Sequence, residues 1–78
     1  MDIYDKLDKA MNHVNELWIS IRDDPRYPDL DPIKVDAMLH WILTARDYTA
    51  ELRRECGPNK TLDQIEAVLK IFELELER

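Results

Sequence analysis

The sequence predicts an all-α protein, a three-helix up-down-up bundle that forms a single helical domain over residues 1–78. Apolar residues recur at alternating steps of three and four, the period of a helix with one buried face. Gly57 is the only glycine, and no β-branched run shows the period of two that marks a half-buried strand. The prolines fall in two places, Pro25 to Pro32 and Pro58, and so divide the chain into three segments.

Helix 1 is expected over about residues 2–22. Tyr4, Leu7, Met11, Val14, Trp18 and Ile21 form its seam, widened on one side by Ile3, Ala10 and Leu17. The resulting apolar arc covers roughly 140°, which suits one buried face. Asp23 and Asp24 oppose the negative end of the helix dipole, and Pro25 stops the helix. The link Arg26-Tyr27-Pro28-Asp29 follows, with Tyr27 expected to cap the end of the core.

Helix 2 is expected over about residues 32–56. Asp31 is a good N-cap, Pro32 suits the first helical position, and Leu30 can staple onto Val35. Val35, Met38, Ile42, Ala45, Thr49, Leu52 and Cys56 form the seam, and Cys56 reads as a small buried hydrophobe. Trp41 and Tyr48 extend it on one flank, and Leu39, Leu43 and Ala50 on the other. An arc of about 220° is too wide for one neighbour, so helix 2 is the central element. Arg53 and Arg54 complement the dipole of its last turn, with Gly57 as the cap and Pro58 behind it.

Helix 3 is expected over about residues 62–77, opened by a capping box between Thr61 and Gln64. Leu62, Ile65, Leu69, Phe72 and Leu76 repeat at helical spacing, joined by Val68. The short connection makes helices 2 and 3 an antiparallel hairpin. The sequence contains no internal repeat or low-complexity tract.

Composition excludes several function classes. At 45% hydrophobic and 36% charged residues, the chain is too apolar for disorder and too charged for a membrane protein. No apolar run approaches the roughly 20 residues of a membrane span. The start, Met1 to Lys6, lacks the basic segment and apolar core of a secretion signal. With Cys56 as the only cysteine, no internal disulfide can form, and a reducing cytoplasm is the expected compartment. The net charge of −6, without a Lys/Arg cluster on one face, argues against direct nucleic-acid binding.

Candidate chemistry is sparse. Asp36 and His40 stand four apart on the polar face of helix 2, with Thr44, Asp47, Glu51 and Arg54 on the same stripe. One histidine and one carboxylate are too few ligands for a metal, so neither metal nor cofactor is assigned. A weak metal-dependent helical enzyme is the least favoured reading. His13 and Glu16 read as a surface pair. Cys56 has no histidine near it in sequence to act as a base. Glu16, Glu51, Glu55 and Glu66 lack the paired spacing that all-helical nucleotide pyrophosphohydrolases require.

Two surfaces remain as candidates. Ala67, Ile71 and Leu74 lie opposite the main seam of helix 3, where a terminal helix should be polar, and Leu39 and Leu43 of helix 2 extend this stripe. These five residues predict an interface with another protein, and closed two-fold symmetry makes a homodimer through helices 2 and 3 the first expectation. The second surface is acidic: Asp23, Asp24, Asp29, Asp36, His40, Asp47 and Glu51. Spaced carboxylates can imitate a phosphate backbone, and the chain resembles small phage-type inhibitors in size, acidity and helicity. The leading expectation is thus a small acidic, non-enzymatic protein-binding module (a regulator, inhibitor or adaptor). The alternative is an inhibitor that mimics nucleic acid and blocks an enzyme that binds it.

Overall fold

In the computed structural model, which describes residues 2 to 77, three helices follow one another: α1 Ile3–Arg22, α2 Pro32–Cys56 and α3 Lys60–Leu76. No strand occurs among the described residues. The all-α three-helix architecture expected from the apolar spacing is the one observed.

Each helix begins on a side chain that accepts the free N–H groups of its first turn. Asp2 stands just outside α1, and its carboxylate accepts from the Tyr4 and Asp5 backbone N–H groups at 2.7 and 3.1 Å. Asp31 accepts from the Ile33 N–H at 3.0 Å, with Pro32 at the first position of α2. The start of α3 differs from the expected capping box. Asn59, not Thr61, caps the helix, accepting from the Thr61 and Leu62 N–H groups at 2.8 and 3.4 Å. Asparagine caps as well as threonine, and the earlier start adds Lys60 and Thr61 to the helix while Asp63 stays within the favourable first turn. Gly57, at φ 75°, ends α2 in a conformation that side chains disfavour, and its N–H donates to the Arg53 carbonyl at 2.8 Å.

Helix α2 lies at the centre. Met38, Ile42, Ala45 and Leu52 are buried between Leu7, Ala10, Val14 and Ile21 of α1 and Leu62, Leu69 and Leu76 of α3. Thr49 is the buried polar residue of this stripe, and its hydroxyl donates back to the Ala45 carbonyl at 2.7 Å. Helix α1 runs antiparallel to α2: Tyr4 reaches Cys56, His13 stacks on Trp41, and the Lys34 ammonium donates to the Ser20 carbonyl at 3.5 Å. Helix α3 returns antiparallel, with Arg46 on Glu73 at 2.9 Å and Arg53 on Asp63 and Glu66 at 2.8 and 3.1 Å.

The third edge is looser. No Cα of α1 comes within 8 Å of a Cα of α3. Large side chains span the gap instead, with the rings of Trp18 and Phe72 centred 5.8 Å apart at 59°. The molecule accordingly measures 42 × 24 × 15 Å, broader than it is deep.

Three residues expected inside are exposed at the ends and edges of the bundle. Cys56 is the last residue of α2, where its thiol meets the Tyr4 hydroxyl from the first turn of α1 and stays exposed. Tyr4 and Val68 flank the open α1–α3 edge, where the seam lacks a facing backbone.

The cap assignment is testable by denaturant unfolding. Asn59→Ala is expected to cost about 1 kcal/mol, the usual value of a lost N-cap, and Thr61→Ala distinctly less. The reverse ranking would restore Thr61 as the cap.

Candidate functional site

The outer side of the α2–α3 hairpin, turned away from α1, carries three of the exposed large apolar residues. Others, such as Ile19 on α1 and Ile33 in the first turn of α2, are exposed singly elsewhere. On α3, Leu62, Leu69 and Leu76 face inward, so Ala67, Ile71 and Leu74 project on the opposite side. Ile71 is 58% exposed and Leu74 56%. On α2, Leu43 follows the fully buried Ile42 and is turned about 100° out of the core, leaving it 56% exposed. Leu39 stands further round toward the core edge and packs against it half-buried, so it contributes less to this face.

The Arg46–Glu73 ion pair holds these residues in register. Leu43 lies one turn before Arg46 and Leu74 directly follows Glu73, so both sit at the same end of the face. Toward its other end the small residues Ala50 and Ala67 are exposed. Between the two helices runs an open hollow of about 450 Å³ lined by Arg46, Asp47, Ala50, Glu66 and Lys70. The face therefore combines an apolar end, a charged middle and a stretch of small residues.

The acidic residues divide into two groups. Asp23, Asp29, Asp36, Asp47 and Glu51 are exposed and have no ion pair among the described residues. Asp36, Asp47 and Glu51 share the outward stripe of α2 with His40. Asp24 is engaged instead. Its carboxylate accepts from the Arg26 backbone N–H at 2.9 Å and from the Arg26 guanidinium at 3.0 and 3.2 Å, and Lys34 approaches at 3.6 Å. Arg26 also reaches Asp31 at 3.3 Å. The hydrogen bonds from Arg26, side chain before backbone, hold the Asp24 carboxyl well below the usual carboxylate range. Asp24 thus folds the link between α1 and α2 and offers little to a partner.

The histidines serve packing. His13 lies flat on the Trp41 indole, ring centres 4.1 Å apart at 15°, so it joins α1 to α2 and does not pair with Glu16. His13 stands three residues after Ala10 and four before Leu17, so the sequence places it beside the apolar arc, but which ring it meets depends on where α2 lies. His40 meets the same indole edge-on at 5.5 Å, and no hydrogen bond or ion pair joins it to Asp36.

Among the described residues no group of three or more His, Cys, Asp or Glu could hold a metal ion. Cys56 stands 3.4 Å from the Tyr4 hydroxyl, and that hydrogen bond raises the tyrosine above its ordinary value, the opposite of an activated phenolate. Tyr27 is 42% exposed and borders a shallow notch of about 60 Å³ with Trp18, Pro28, Leu30 and Glu75, so it lies against the core's edge without closing it. No helix among the described residues is long and apolar enough to cross a membrane.

No protein-family model, curated protein or solved structure matches this chain.

The role of Asp24 has a pH signature. A carboxyl whose folded value is depressed stabilises the fold above its unfolded value, about pH 4, and that contribution fades as pH falls below it. Asp24→Asn is therefore expected to lower the melting temperature at pH 7, with the gap to wild type narrowing as the pH is taken below 4. A gap that is constant with pH would assign Asp24 a purely steric role.

Proposed function

We propose that this chain is a small acidic, non-enzymatic protein-binding module, a regulator, inhibitor or adaptor that works from the cytoplasm as a homodimer. The carrying observation is that Leu43, Ile71 and Leu74 are each more than half exposed on one face of the α2–α3 hairpin. A chain of 78 residues has few apolar side chains to spare from its core. Grouped exposure of large apolar residues on one face marks a surface that something covers, whereas scattered single ones do not.

Covering Ile71 and Leu74 would contribute about 1.5–3 kcal/mol each. At 1.4 kcal/mol per tenfold, placing carboxylates there is expected to weaken association at least about a hundredfold. Light scattering over a concentration series should give a dimer mass for wild type and a monomer mass for Ile71→Asp/Leu74→Asp at unchanged helicity. A wild type that stays monomeric removes the homodimer from this proposal. An unchanged mass for the double variant of a dimeric wild type removes the face.

A second reading, nucleic-acid mimicry, draws on the stripe of Asp36, Asp47 and Glu51, whose carboxylates point outward without cation partners among the described residues. It places these groups in the nucleic-acid groove of a target enzyme. That reading predicts binding that weakens steeply with salt and is displaced by DNA or RNA. Binding indifferent to both would eliminate it.

A further inference from the structure

The outer face of the α2–α3 hairpin carries its own complement. Because the two helices are antiparallel, the pairs Arg46–Glu73 and Arg53–Asp63 set which residues stand level along the bundle. On that register Leu43 is level with Leu74, Asp47 with Lys70, and Ala50 with Ala67, each to within about half a helical turn. Asp47 and Lys70 line one hollow, yet among the described residues neither forms an ion pair.

We infer that this face is a two-fold interface in which α2 of one protomer lies on α3 of the other. The inference rests on the protein-binding reading of the face and names its occupant as a second copy. A two-fold axis parallel to the helices leaves every residue at its own height and exchanges α2 for α3. Leu43 then meets the partner's Leu74, and the small Ala50 meets the partner's Ala67, which lets the backbones approach. Asp47 meets the partner's Lys70, and the symmetry makes each of these contacts twice. A foreign partner would have to supply a cation, an anion and two apolar side chains at matching heights. A second copy has them by construction.

The arrangement is tested by charge reversal. Lys70→Glu and Asp47→Lys each set like charges together at two symmetric places, and each is expected to weaken the dimer about tenfold. The double variant Asp47→Lys/Lys70→Glu restores the pairs in reverse and should return to within about threefold of wild type. Melting temperatures check that the variants fold.

A cross-linking experiment avoids altering charge. In a Cys56→Ser background, Leu43→Cys and Leu74→Cys proteins are mixed and oxidised. The mixture should yield a crossed disulfide-linked dimer, and either protein alone far less, because a disulfide needs its Cβ atoms about 4 Å apart. A double reversal no tighter than the single ones, or a mixture that fails to cross-link, overturns the inference. So does an Ala67→Cys protein that links efficiently to itself, which would put α3 on α3. If Ile71→Asp/Leu74→Asp still dissociates the dimer in those cases, only this arrangement falls. If that variant leaves a dimeric wild type intact, the protein-binding reading of the face falls with it.

Discussion

Helix α2 must bury more of its circumference than one neighbour can cover, and the rest of the fold follows from that requirement. Its buried stripe runs from Met38 through Ile42, Ala45 and Thr49 to Leu52, with Trp41 and Tyr48 packed on one flank and Val35 and Leu39 on the other. Helix α1 covers the Trp41 flank and α3 the Arg46–Arg53 flank. Each outer helix needs one inward stripe, and each supplies it: Leu7, Ala10, Val14 and Ile21 from α1, and Leu62, Leu69 and Leu76 from α3. The outer helices satisfy α2 before they satisfy one another. Their backbones therefore stay apart, and the Trp18–Phe72 contact bridges them.

Charge is arranged around this core by the same logic. The ion pairs of the hairpin, Arg46–Glu73 and Arg53 with Asp63 and Glu66, run along the rim of the α2–α3 contact, where long side chains lie over apolar surface with their heads near water. Partly exposed pairs of this kind add little stability, but they fix the register of two helices that a short connection already holds together. The link between α1 and α2 has no comparable apolar content. Arg26 gathers Asp24 and Asp31 there, and Lys34 adds a second cation beside Asp24. Three aspartates near the bend thus have different roles: Asp24 anchors, Asp31 caps α2, and Asp29 is exposed.

The surplus apolar surface is the consequence that bears on function. Once α2 and α3 have buried their shared stripe, Leu43, Ile71 and Leu74 remain outside on one face, with Ala50 and Ala67 beside them. The open α1–α3 edge also exposes apolar atoms, along a shallow groove of about 200 Å³ lined by Tyr4, Leu7, Asp8, Met11 and Ile65. That exposure has a local cause: the two backbones stand apart, and the Trp18–Phe72 contact bridges them at the other end of the edge, away from this groove. On the α2–α3 face the exposed apolar residues stand on helices joined by ion pairs, and their grouping is what supports the proposed contact surface.

The sequence by itself determined the three helices, the central place of α2, both proline-marked breaks and the outward stripe on α3. These depend on local chemistry: apolar period, caps, and the fixed φ of proline. The bounds of α2 were fully legible because Asp31-Pro32 and Gly57-Pro58 punctuate it on both sides. The start of α3 was not, because Asn59 and Thr61 are both competent caps and side-chain preference alone does not choose between them. Only the tertiary structure decided which flanks of the apolar arcs were covered. It buried Leu39 partly and left Leu43 out, exposed Tyr4, Val68 and Cys56, and laid His13 on Trp41. It also converted Asp24 from a free surface charge into a structural one. Each of these outcomes depends on where a second helix or a distant side chain lies, and periodicity along one helix carries no information about that distance.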